Sequence, residues 1–149
     1  MRTVEVAWDP RAGQFRANGT IAGHALAINA PGLPGEPHVA TGFSPADLLL
    51  AGIGACSAWD VVEILRKARQ PVTGLTIDVE AAQEPGPPWT FRTVALRYTV
   101  RGTGLDHDQV ARAVRLSVDR YCSVIATVRG AATVTDSLEV VEEPALPAA

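Results

Sequence analysis

The run SPADLLLAGIGACSAWDVVEILRKAR, Ser44 to Arg69, restricts the possible folds of this chain more than any other feature. It opens as an S-x-x-D helix start, with Ser44 as N-cap, Pro45 at the first helical position and Asp47 three residues after the cap. A helix is therefore expected over about 44–70, with Pro71 just beyond it. Its first half is apolar or small on every side, the pattern of a helix buried all round. Gly52 and Gly54 lie in its interior, where each costs about 1 kcal/mol relative to alanine. Close approach of another backbone would compensate, either from a second helix of the same chain or from the same helix of a second subunit. Only the second half is charged, and Glu63 and Lys67 are spaced for a helical i,i+4 pair.

At 149 residues and 47% hydrophobic, the chain is one domain's worth and can bury a core without disulfides or a structural metal. Its formal net charge is −3, with no block of Lys or Arg to follow a phosphate backbone, so nucleic acid is not an expected partner. The N-terminus MRTVEVAWDP has no secretory h-region. The apolar run Leu48 to Trp59 is too short to span a bilayer, so no membrane role is expected and the chain reads as soluble and cytoplasmic. There a permanent disulfide is disfavoured. Cys56 and Cys122, the two cysteines, would be reduced at rest or would cycle, and their wide separation in sequence excludes a CxxC motif. Taken alone, each is most simply a small buried hydrophobe. His24, His38 and His107 have no metal-ligand spacing, and no metal site is expected.

The rest of the chain reads as strands and one more helix. Residues 1–43 hold Val4 to Trp8, a turn at Asp9, Pro10, Ala12 and Gly13, the strand Gln14 to Asn18, and a third strand within Gly23 to Ala30. The Pro/Gly-rich stretch Pro31 to Phe43 is a long loop of the kind that borders a site. Leu75 to Gln83 and Thr90 to Gly102 alternate on either side of EPGPP and read as an antiparallel pair within 75–102. Asp106 and Gln109 open a second helix over 106–129, with Val110, Val114, Ser117/Val118 and Tyr121 at helical spacing and Cys122 inside it. Gly130 stops it, and 132–143 form a last strand. The whole chain, 1–149, reads as one α+β domain.

Two of these stretches resemble a known family. SPADLLLAGIGACSAWDVVEILRKARQ and LDHDQVARAVRLSVDRYCSV are similar to the first- and second-cysteine helices of the OsmC/Ohr family, and most similar to its YhfA-like branch. The resemblance implies an intertwined homodimer in which antiparallel sheets wrap buried central helices, with active sites at the subunit interface. It also implies reduction of organic hydroperoxides in oxidative stress defence. Cys56 would be the peroxidatic thiolate and Cys122 the resolving thiol. No cofactor is implied, only an external thiol reductant such as a lipoyl-type dithiol.

A thiolate in an apolar helix needs a nearby cation. The family implies an Arg from the first hairpin, and Arg11 and Arg16 are the candidates, Arg11 ranking first. In the Ohr type a Glu directly after the helix-opening Pro holds that Arg; here the position is Ala46, and the nearest acid is Asp47. Asp47 is also a natural helix-capping residue. Trp59 and Tyr121 are packing residues or walls of an apolar peroxide pocket. The missing Glu keeps a second function open: a dimer that binds a small apolar or thiol ligand, or senses redox state, without efficient turnover.

Overall fold

The structure, a computed structural model, describes residues 2–19, 24–31, 35, 37 and 39–144. The chain forms two compact units, Met1–Leu49 and Leu50–Ala149, and their boundary falls inside a helix rather than at a linker.

The first unit is a three-stranded antiparallel meander of β1 (Glu5–Asp9), β2 (Gln14–Asn18) and β3 (Ala25–Asn29). Trp8 pairs with Phe15, and Gln14 with Asn29. The expected turn forms because Asp9 Oδ1 accepts the amides of Arg11 (3.0 Å) and Ala12 (3.2 Å), and Gly13 takes a positive φ of 62°. Farther on, Asn29 Oδ1 accepts the amides of Thr41 (2.6 Å) and Gly42 (3.2 Å). Gly42 is needed there: a Cβ would sit 2.5 Å from the Ala27 carbonyl oxygen. Within the predicted loop from Pro31 to Phe43, residues 32–34, 36 and 38, His38 included, lie outside the described residues.

Helix α1 (Pro45–Lys67) begins where the sequence predicts, with Ser44 Oγ accepting the Asp47 amide at 3.0 Å. It ends in the expected Glu63–Lys67 pair at 3.6 Å. Its buried residues are Ile53, Gly54, Ser57, Val61 and Leu65, a single face at three- and four-residue spacing. Within the second unit α1 is therefore covered on one side, not all round, because one sheet can cover only one stripe of a helix; Trp59 remains 75% exposed. Gly54 faces β4, where a Cβ would meet Val79 Cγ2 at 3.1 Å, whereas Gly52 meets nothing within 4 Å. Over its 23 residues α1 is long and apolar enough to cross a bilayer, although the run Leu48 to Trp59 within it is too short to do so. Length and composition do not separate such a span from the core helix of a folded domain.

The second unit holds a sheet in the order β4 (Val72–Gln83), β5 (Phe91–Gly102) and β6 (Thr133–Glu142). Every second residue of β5 from Val94 to Val100 is buried, and its partners match: Val79 beside Leu96, Ile77 beside Tyr98, Leu138 on the other side of Tyr98. β4 and β5 are antiparallel, but β5 and β6 run parallel, so this sheet is mixed rather than wholly antiparallel. The reason is the helical crossover between them, since parallel strands cannot be joined by a tight turn.

That crossover is also not one helix. α2 (His107–Leu116) is capped by Asp106 Oδ1, which accepts the amides of Asp108 and Gln109. A π-helical turn, Ser117–Tyr121, follows, and then α3 (Ser123–Val128). Cys122 lies between them in an extended conformation (φ −70°, ψ 102°), at the N-cap of α3 rather than inside a helix.

Candidate active site

Both cysteines are free thiols of the second unit. Cys56 is half-buried in the middle of α1 and packs against the hydrophobic core. Cys122 is 2% exposed. As N-cap, its Sγ accepts the Ile125 amide at 3.4 Å, and its own amide donates to the Ser117 carbonyl at 3.0 Å. Burial pushes the Cys122 thiol up to about 11 and outweighs the stabilising amide of Ile125, while the neighbouring Cys56 thiol pushes it the same way. The fold therefore brings together two thiols that are distant in sequence, and makes them unequal.

Beside them runs a buried polar chain. Ser57, the residue after Cys56, places its Oγ 2.6 Å from Tyr98 Oη and 2.8 Å from Ser117 Oγ. Ser117 Oγ lies 3.2 Å from Asp60 Oδ2. Ser57, Tyr98 and Ser117 are all 0% exposed. The direction of the chain follows from proton counting, because a carboxylate only accepts and each hydroxyl has one proton to give. Ser117 donates to Asp60 or to the Ser57 carbonyl at 3.4 Å, both of which only accept, so Ser57 donates to Ser117, and Tyr98 donates to Ser57. Every hydroxyl is satisfied in a core where an unpartnered one costs about 1–3 kcal/mol. Tyr98 is pushed up to about 12, chiefly by burial, partly offset by Ser57 and reinforced by Asp136, Cys122 and Asp60. Asp60 also borders an open groove of about 530 Å³ whose walls include Trp59, Ile64, Leu116 and Tyr121.

Sequence reading missed this chain of hydroxyls. In the sequence Ser117 falls on the apolar face of the second helix, and Ser57 is one of several small residues in the middle of α1. The available signal was a serine at a core-facing helical position and a tyrosine at an inward strand position, both of which require partners once buried. Of the other predicted site residues, Arg11 is exposed in the β1–β2 turn, and Arg16 is exposed in β2 opposite Ala7 and Ala27. Asp47 is exposed in the first turn of α1. All three belong to the first unit and are described within it alone. His24 and His107 are exposed, and among the described residues no three His, Cys, Asp or Glu side chains cluster to hold a metal.

The family model for OsmC-like proteins matches residues 36–136, which include both cysteines and the whole hydroxyl chain. The chain belongs to the OsmC-like family. Protein YhfA of Escherichia coli K12 is 40% identical over 98 residues, covering 66% of this chain and 73% of YhfA. Among solved OsmC-like folds, a hypothetical protein from Aquifex aeolicus VF5 superposes with a TM-score of 0.81 at 28% identity, covering 97% of this chain and 98% of that one. An organic hydroperoxide resistance protein OsmC from Legionella pneumophila superposes with a TM-score of 0.65 at 17% identity, covering 94% and 97%, a likeness of fold.

Proposed function

We propose that this OsmC-like chain is a thiol peroxidase for organic hydroperoxides, with Cys56 as the attacking thiol and Cys122 as the resolving one. The observation that carries the reading is the inequality of the pair. A buried thiol raised to about 11 is protonated at neutral pH and poorly suited to first attack, which leaves the half-buried Cys56 for that task. Cys56 thiolate takes the distal peroxide oxygen, the O–O bond breaks, and the alkoxide leaves as the alcohol after gaining a proton. The Cys56 sulfenic acid is then attacked by Cys122; an S–S bond forms, and hydroxide leaves as water with the proton of Cys122. An external dithiol returns both cysteines to thiols by exchange.

The groove beside Trp59 and Tyr121 offers apolar surface at Trp59, Ile64 and Leu116 for the organic tail of such a substrate, between the charged groups of Asp60, Glu63 and Lys67. Arg11, with Arg16 as the alternative, would stabilise the Cys56 thiolate, and Asp47 would orient that Arg. The uncovered side of α1, with Leu49, Gly52, Ala55 and Trp59, supports assembly with a second copy. A pair that is reset by an external dithiol would work in a reducing compartment such as the cytoplasm.

A second reading rests on Ala46, which stands where the Ohr type has the Glu that holds its Arg. A thiolate less firmly stabilised would suit a ligand-binding dimer or a slow redox sensor. Thiol counting after one equivalent of cumene hydroperoxide separates the two. The peroxidase reading expects both thiols to disappear within seconds and Cys56→Ser to slow peroxide consumption by about three orders of magnitude. Persistence of both thiols over minutes, or an active Cys56→Ser protein, would sink it.

A further inference from the structure

We propose that Ser117 is a positioning residue for the Cys56–Cys122 pair, a two-ended clamp that holds the resolving segment against α1 so that the disulfide can close. The proposal rests on the reading that the two cysteines act together, and it assigns a role to groups that the peroxide chemistry leaves unused.

Ser117 touches both sides of the pair. Its side chain bonds to Ser57 Oγ at 2.8 Å, and Ser57 follows Cys56 directly in α1. Its carbonyl accepts the Cys122 amide at 3.0 Å. One residue thus links the neighbour of the first thiol to the backbone of the second through two hydrogen bonds.

The π turn makes this possible. In an α-helix the Cys122 amide would reach back four residues to Val118; here it reaches back five, to Ser117. Without that wider turn, the residue bonded to α1 and the residue bonded to Cys122 would not be the same.

The α1 end of the clamp, which holds both Ser57 and Asp60, is anchored twice. Tyr98 ties Ser57 to β5 at 2.6 Å, and Asp60 receives Ser117 at 3.2 Å. With its one proton given to Asp60 or to the Ser57 carbonyl at 3.4 Å, Ser117 Oγ accepts from Ser57. Since α1 and the π turn are far apart in sequence, their relative placement must be held by packing and by these bonds. The effective concentration of one thiol toward another depends on such placement.

The test is a thiol–disulfide equilibrium without hydroperoxide, in which the protein dithiol gives two electrons and two protons to oxidised dithiothreitol, which becomes the reduced dithiol. The disulfide fraction is read by mass spectrometry after acid quenching and alkylation. Ser117→Ala is expected to weaken the disulfide about tenfold, a shift of about 30 mV toward a more easily reduced bond. Ser117→Thr, which keeps the hydroxyl, is expected to stay within about twofold of the parent. Asp60→Ala, which removes the carboxylate acceptor but no buried hydroxyl and leaves Ser117 only the Ser57 carbonyl at 3.4 Å, is expected to weaken it about threefold.

A Ser117→Ala protein that melts at lower temperature yet keeps the parent equilibrium within twofold has lost only general stability, and the clamp is overturned. Should Ser117→Ala not fold, Asp60→Ala decides, and an unchanged equilibrium there overturns the clamp as well. A parent protein that forms no intramolecular disulfide overturns it too. The peroxidase reading fails on a different measurement, the persistence of thiols after cumene hydroperoxide, so the two can fall separately.

Discussion

Cys56 and Cys122 are neighbours in space with opposite local designs. Cys56 occupies an uninterrupted helix, one side of which packs on the core while Ala55 and Trp59 on the other face outward. Cys122 sits where the helix breaks, between a π turn and a new N-terminus, with its sulfur enclosed and bonded to a backbone amide. Reactivity toward an incoming molecule and protection until a partner presents itself are different requirements. The proposed roles would divide those requirements between a half-open helix and a closed cap.

The strongest way to break this comparison is to empty the core under the cap. Ile125 is 0% exposed and Trp59 is 75% exposed. Ile125→Ala should cost about 3 kcal/mol in urea unfolding, and Trp59→Ala within about 0.5 kcal/mol in dilute protein. A larger Trp59→Ala loss that varies with protein concentration would instead show that a second chain covers α1.

Next in size is chemical labelling. A thiol raised to about 11 has about a hundredfold less thiolate than an ordinary one. Iodoacetamide at pH 7.5 should therefore modify Cys122 at least about a hundredfold more slowly than an unhindered model thiol, with Cys56 labelled first. Peptide mass spectrometry over time measures both rates, and equal labelling would erase the proposed division of roles.

The same shift makes stability depend on pH. Because the folded Cys122 keeps a proton that the unfolded chain loses near pH 9, its contribution is complete below pH 9 and is lost as pH rises toward about 11. The loss should be about 2 kcal/mol, visible as a falling urea midpoint. Tyr98, raised from 10.0 to about 12, adds a further fall above pH 10. Cys122→Ala should remove the earlier part of the slope, and Tyr98→Phe the later part.

The smallest effect tests α1 itself. Gly52 has open space where a side chain would go, so Gly52→Ala should stabilise the isolated chain by about 0.5–1 kcal/mol. The same change at Gly54 must push Val79 aside and should gain less or nothing. If Gly52→Ala destabilises the protein instead, another backbone approaches α1 at that point.

Much of the fold was legible from local signals. The cap at Ser44, the Glu63–Lys67 pair, the Asp9 turn and the alternation of β4 and β5 each depend on residues close together in the chain. The parallel course of β6 was not legible, because a strand's pattern records which face is buried and not which way its neighbour runs. Nor was the break at Cys122: Val110, Val114, Ser117 and Tyr121 keep helical spacing through a π turn nearly as well as through an α-helix. At the site, the cysteines themselves could be picked out, but the serines, Tyr98 and Asp60 looked like unremarkable small or surface residues.

By itself the sequence determined the helix that carries Cys56, the strands that form the sheet, the α+β class and, through its cysteine stretches, the family likeness. Only the tertiary structure decided that the two thiols meet, that one is enclosed, and that Ser117 joins their segments. Periodicity and capping act over a few residues and leave their mark on the chain. Burial, hydrogen-bond partners and the pKa of a thiol depend on atoms that come together only when distant segments pack.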